Sequence, residues 1–232
     1  MKICILHIGH TEPGQTSKHP ASPERFKSAL APHLPDAVWT TISALNDALP
    51  DPSDFDAYLI TGGKYSVFDS YPWQDRLLAF IGDVMERKIK LAGICYGHQA
   101  IGQVLGARVE RSPKGYGVGL MPVTVVEDRP WCEARPEGYV LHAMHQDQLV
   151  SLPEGAGLFL SNAFCPISGF TVGEHVFAIQ QHPDFTKALN RDLIVRRIDR
   201  IGEPTATSAI ASFEGKDDTE HSVNWLAGFL AS

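Results

Sequence analysis

Residues 2–9, KICILHIG, are apolar at almost every position and rich in β-branched side chains. Such a run, bounded by Gly9 and then Pro13, predicts a central buried strand. SPERFKSALAPHL follows and has the marks of a helix start. Ser22 is a candidate N-cap, Pro23 suits the first helical position, and Glu24 and Arg25 fill the first turn. FDAYLITGG predicts a second buried strand ending in a glycine pair. WQDRLLAFIGDVMERK places Leu77, Leu78, Ile81, Val84 and Met85 on one helical stripe. IKLAGI is a third strand, and GHQAIGQVLGARV a helix closed by Gly106. Strand and helix alternate through this half, which predicts a parallel sheet with helices on its faces.

The pattern then changes. LMPVTVV, EGYVLHAMHQDQLV, GAGLFLSNAF and SGFTVGEHVFAIQ are short strand-like runs separated by turn residues, which predict hairpins or added strands. Two helical stretches close the chain. One carries Leu189, Leu193, Ile194, Ile198 and Ile201; the other carries Val223, Leu226, Phe229 and Leu230. Between them, GEPTATSAIASFEGKDDTE reads as the best candidate for a mobile loop. With no repeat, low-complexity tract or linker, the expectation is one domain over 1–232, its C-terminal helical extension running over about 186–232.

Composition narrows the field. A net charge of −7 without a Lys/Arg cluster argues against nucleic acid as a partner. No apolar run reaches the roughly 18–20 residues that cross a bilayer, so no membrane association is expected. The N-terminal apolar run is shorter than a signal peptide's core. Cys4, Cys95, Cys132 and Cys165 are far apart and form no CxxC pair, which suits a reducing cytoplasm. Cys4, Cys132 and Cys165 read as inert buried side chains.

Cys95 is different because Gly93 and Gly97 flank it between a strand and a helix. That order is a nucleophile elbow with cysteine in the serine position. Bulky side chains two residues away would collide with the crossing chain. The turn lifts Sγ above the sheet edge, and the positive end of the next helix favours a thiolate. TGGKYSV (61–67) ends the preceding strand with two glycines, whose amides can face an anion without Cβ interference. The N–H groups of Gly63 and Tyr96 are therefore candidates for an oxyanion hole. IQQHPDF (179–185) closes a later strand with His182 and puts Asp184 two residues on, on the same side of an extended segment. A base steered by an acid is what a cysteine nucleophile needs. Each piece alone also fits a plainer reading: a buried cysteine at a tight turn, a flexible glycine pair, a surface turn at Pro183. Their order is more specific, and it differs from an α/β-hydrolase, whose acid precedes its histidine.

Together TGGKYSV, GICYGHQAIGQVLGARV and IQQHPDF resemble the class I (triad) glutamine amidotransferases, whose elbow reads GxCxGxQ with Gln99 in the last place. The resemblance covers roughly residues 55–185. PKGYGVG and HAMHQDQL look like the stand-alone, GMP-synthase-like subgroup, which includes plant γ-glutamyl peptidases. The resemblance implies an α/β fold: a three-layer, flavodoxin-like sandwich with a mostly parallel central sheet, helices on both faces and added antiparallel strands. It also implies hydrolysis of a γ-glutamyl amide, without a cofactor. Cys95 would form a γ-glutamyl thioester, His182 would move the protons and Asp184 would orient His182. Gly63 and Tyr96 would hold the oxyanion. Gln99, Met144, His145 and Gln146 would line the glutamyl pocket.

Two departures stand out. The family usually has Glu where this chain has Asp184, one methylene shorter. It often has Pro after the glycine pair, where this chain has Lys64. His142, His145 and Asp147 could be taken for metal ligands, but 142 and 145 fall on opposite strand faces, and a pocket wall suits them better. Arg191, Arg196, Arg197 and Arg200 read as a solvated helix face. About 45 residues follow the HPDF motif, below the roughly 50 of a small domain, so no fused synthetase is expected. Three functions stay open: a glutaminase that serves a separate synthetase subunit, a free-standing γ-glutamyl peptide hydrolase, or a catalytically silent binding protein. In each case the small-molecule partner is glutamine or a γ-glutamyl compound.

Overall fold

The computed structural model describes residues 1–9, 18–132, 134–135 and 137–232. Pro13, read as the stop after the first strand, lies outside them. The first half alternates as the apolar pattern requires: β1 (Lys2–His7), α1 (Ser22–Leu30), β2 (Val38–Ser43), β3 (Ala57–Ile60), α2 (Gln74–Glu86), β4 (Lys90–Ile94) and α3 (Tyr96–Val104). Then come β5 (Val109–Arg111), β6 (Gly117–Val125), β7 (Tyr139–His145), β8 (Asp147–Leu149), β9 (Gly157–Ser161), β10 (Gly169–Val172) and β11 (Val176–Ile179). Four helices finish the chain: α4 (Lys187–Arg196), α5 (Ile198–Ile201), α6 (Glu203–Ser212) and α7 (Thr219–Ala231).

Among the described residues, nine strands form one sheet in the order β2-β1-β3-β4-β11-β10-β9-β6-β7. Strands β2 to β11 in that order are parallel, and the remaining ladders are antiparallel. β5 and β8 make a separate antiparallel pair. The sheet is thus mixed, with its parallel half holding the motif-bearing strands.

The continuous apolar strands are buried on both faces. From β1, Ile3 and Ile5 enter one core with Phe26 and Leu30 of α1 and with α7. Cys4 and Leu6 enter the opposite core with Leu77 and Ile81 of α2 and Ile101 of α3. Each such large side chain contributes roughly 1.5–3 kcal/mol on burial. A third core joins Val118 and Leu120 of β6 to α4 and α6 through Leu189, Leu193 and Ala209.

Four readings change. Ser22 is the first helical residue of α1, and the N-cap is Ala21, without a side-chain bond. The Ser22 hydroxyl is drawn away to Asp184 instead. β2 was not expected; it is an edge strand whose Val38 is exposed and whose polar positions hide the period. The supposed mobile loop is largely α6, with Pro204 in its first turn and Ala206 and Ala209 buried. Ser212 ties it down, its Oγ accepting from the Leu120 N–H at 2.9 Å. The stretch read as one helix from 187 breaks at Arg197 into α4 and α5, which leaves Ile198 exposed. Among the described residues no helix is long and apolar enough to cross a membrane.

Candidate active site

β4 lies between β3 and β11, and all three run parallel. Their carboxyl ends share one edge, where open α/β sheets bind ligands. Cys95 follows β4 directly and caps α3, with φ 54° and ψ −98°. A side chain at positive φ outside glycine is strained, and such strain clusters at working sites. Its N–H donates to Ile179 O of β11 at 2.9 Å, which fixes the turn.

The flanking glycines answer to space. A Cβ on Gly97 would lie 2.5 Å from Ile60 O, and one on Gly93 would lie 2.6 Å from the Gly97 carbonyl carbon. The elbow therefore packs backbone on backbone. The TGG turn is as tight. A Cβ on Gly62 would lie 2.8 Å from His182 Cε1 and 3.3 Å from Cys95 Cβ, and one on Gly63 would lie 2.2 Å from Ile8 O. Gly62 is thus the residue that lets thiol and imidazole approach; the motif alone had singled out Gly63. Tyr96 is the first residue of α3, so its N–H is one of the amides that a helix start leaves unpaired. Its ring turns away and packs on Trp73.

His182 hangs from β7: its N–H donates to His142 O at 2.9 Å. Its Nδ1 donates to Asp184 Oδ1 at 3.3 Å, and Phe185 stacks on the ring at a centroid distance of 3.9 Å. Burial opposes a charge on this ring, but the Cys95 sulfur and the Asp184 carboxylate outweigh it and raise His182 to about 9. The Asp184 side chain is 1% exposed. Burial works against its charge as well, yet the Arg25 guanidinium and His182 bring it down to about 2. Arg25 Nη2 and Nε donate to Asp184 Oδ2 at 2.5 and 3.1 Å, and Ser22 Oγ donates to the same oxygen at 3.1 Å. Arg25 and Ser22 were missed as site residues. Arg25 lies 159 residues before Asp184 and Ser22 lies 162 before it, and their own helix gives no local sign of the contact.

Two cavities meet at Cys95, sharing Gly63, Lys64, Met144 and Arg197. One, of about 110 Å³, is walled by His182, Asp184, Phe185 and Arg25. The other, of about 90 Å³, is walled by Tyr96, Gln99, His145, Gln146 and Asp147. The structure thus brings together every site residue singled out in the sequence. Gln99 Nε2 donates to Asp147 O at 2.7 Å and to Gln180 Oε1 at 3.0 Å. Burial lowers His145 to about 4, and its Nδ1 donates to Asp147 O at 3.2 Å. The Asp147 carboxylate accepts from Ser66 Oγ and pairs with Arg111 Nε at 3.6 Å. His142 turns the other way, toward Asn190 and Asp217. It shares no cluster with His145 and Asp147, and the described residues hold no metal-binding group of three. Arg197, at the break between α4 and α5, lines both cavities, and Arg200 lines the second, where a solvated helix face was expected of them.

Residues 35–198 match the family model for glutamine amidotransferase class-I. Gamma-glutamyl peptidase 3 of Arabidopsis thaliana is 30% identical over 172 residues, which cover 70% of this chain and 68% of that protein. A glutamine-hydrolyzing GMP synthase of Dehalococcoides mccartyi is 28% identical over 162 residues, covering 69% of this chain and 28% of the synthase. A glutamine amidotransferase from Thermotoga maritima has the same fold, with a TM-score of 0.76 at 18% identity over 99% of both chains. The elbow, its neighbours and the matched span agree, and the chain belongs to the class I glutamine amidotransferases, cysteine-dependent amidohydrolases.

Proposed function

We propose that this protein hydrolyses γ-glutamyl amides in which the nitrogen carries a substituent, as in γ-glutamyl peptides. Cys95 Sγ attacks the γ-carbonyl carbon, and the N–H groups of Gly63 and Tyr96 receive the oxyanion. His182, raised to about 9, holds a proton at neutral pH. It gives that proton to the departing nitrogen as the C–N bond breaks, leaving a γ-glutamyl thioester. His182, now neutral, takes a proton from water. The hydroxide displaces Sγ, and glutamate leaves. Asp184 holds the ring's tautomer and stabilises its charged form.

The observation that carries the reading is the pair of cavities meeting at Cys95. The one walled by Gln99, Met144, His145 and Gln146 suits the glutamyl unit. The one walled by His182 receives the leaving nitrogen. Ammonia, the size of a water, needs only about 10–15 Å³. The 110 Å³ on that side accommodates a larger amine. The similarity to gamma-glutamyl peptidase 3 points the same way. The similarity to a GMP synthase supports a second reading, a glutaminase paired with a separate synthetase subunit.

Purified protein given free glutamine and a panel of γ-glutamyl dipeptides should release glutamate from the dipeptides at least as fast, and Cys95→Ala should abolish release. Glutamine hydrolysis seen only with a second protein, and no dipeptide cleavage, would establish the synthetase-paired reading instead. The residues from Lys187 onward pack on β6, β7 and α1, which supports a single domain over 1–232 with a helical extension from about 186. Cys4, Cys95, Cys132 and Cys165 are far apart in sequence and include no CxxC pair, which supports a cytoplasmic location.

A further inference from the structure

We propose that Arg25, with Ser22, is a positioning residue that holds Asp184 against His182 and lets this short acid serve where the family usually has Glu. The proposal rests on His182 and Asp184 being the proton-handling pair. It concerns how that pair is built.

An aspartate reaches one methylene less far than a glutamate, so its backbone must come closer to the ring and stay there. Arg25 acts on both backbone and carboxylate. Its Nε donates to the main-chain O of Asp184 at 3.2 Å and to Oδ2 at 3.1 Å, while Nη2 donates to Oδ2 at 2.5 Å. Nη1 donates to Pro20 O at 2.8 Å, so the guanidinium is held from its own side too. Ser22 Oγ adds a donor to Oδ2 at 3.1 Å. With Oδ2 fully engaged, only Oδ1 is left for His182, and it accepts from Nδ1 at 3.3 Å. The carboxylate has one way to point.

A second contact runs in parallel. The guanidinium carbon of Arg25 lies 5.6 Å from the centroid of Phe185, over the ring, and Phe185 stacks on His182 at 3.9 Å with planes 22° apart. Arginine, phenylalanine and imidazole form a stack, and a lysine offers no planar fork for it. Both Arg25 and Ser22 are on α1, before the residues 35–198 matched by the family model. Arg25 is 11% exposed on its side chain, and burying such a charge costs heavily unless it is paired. Surface solubility does not account for it.

The readout is the pH profile of Cys95 alkylation by iodoacetamide, which needs no substrate. Burial pushes Cys4 and Cys165 up to about 12, so they react slowly. In Arg25→Gln the acid limb of alkylation should move up by about half a pH unit or more, a modest part of the shift that a nearby charge can produce. The carboxylate is then held less firmly, and the imidazolium beside Cys95 loses its support. On a γ-glutamyl dipeptide, kcat should fall about 10- to 100-fold, within the range for misplaced acid–base groups, with KM within about twofold. Arg25→Lys should recover part of the loss, and Ser22→Ala should give a smaller shift with the fold kept. In an Asp184→Asn background, Arg25→Gln should shift the limb no further. Equal shifts in both backgrounds, or an unmoved profile in folded Arg25→Gln and Ser22→Ala, would overturn the proposal. Dipeptides left uncleaved by the wild type would defeat the functional reading alone, because alkylation still decides the role of Arg25.

Discussion

His182 shows how far single residues depart from their solution chemistry here. Its ring is buried, which alone would keep it neutral, yet the sulfur on one side and the carboxylate on the other raise it to about 9. The proton that the proposed mechanism gives to the leaving nitrogen is therefore in place at neutral pH. The sign of the pH dependence follows. In the proposed mechanism activity requires the charged ring, so kcat/KM on a γ-glutamyl dipeptide should hold level through neutrality and fall as pH rises through about 9. A limb centred near about 6.5, the ordinary histidine value, would mean that Cys95 and Asp184 do not act on this ring. Cys95 and His182 were legible in the sequence because a strand, a turn and a short spacing carry them. Arg25 was not. It serves Asp184 across a gap of 159 residues, and such a gap carries no local pattern.

Elements follow the same division. β1, β3, β4 and α3 were legible because burial on both faces of a strand, or along one stripe of a helix, writes itself into the apolar pattern. β2 and α6 were not. An edge strand needs few apolar positions, and α6 buries mainly small alanines among Thr and Ser. The elbow has little tolerance for an added side chain. Gly97→Ala puts a methyl 2.5 Å from Ile60 O, main chain against main chain, so no rotamer relieves it. The variant should lose about 1–3 kcal/mol, the usual range for overpacking, read as a lower urea midpoint with unchanged slope. Gly106→Ala is the control. It meets open space and carries only the strain of φ +79°. Equal stability of Gly97→Ala and wild type would show that β3 and α3 are less closely packed than the structure has them.

Across the whole molecule, buried histidines set the pH at which the fold is most stable. Burial lowers His98 to about 3 and His145 to about 4. Unfolded, each titrates near about 6.5, so between about 4 and 6.5 the unfolded chain binds two protons that the folded chain refuses. Stability therefore rises with pH through that interval. His182 works in the opposite sense. Its folded value of about 9 lies above the unfolded one, so its contribution is complete below about 6.5 and is lost as pH rises through 9. Asp184, held at about 2, adds stability above its unfolded value near 3.8 and loses it only as pH falls toward 2. The unfolding free energy from urea titrations should thus peak near about pH 6.5, with an acid flank below it where the lowered histidines, His175 among them, refuse protons and an alkaline flank from there to about 9 as His182 loses its proton. Replacing His182 with Gln should flatten the alkaline flank and leave the acid flank in place. Loss of both flanks together in that variant would mean that the three rings titrate as one coupled group. An unchanged alkaline flank would assign it to groups other than His182.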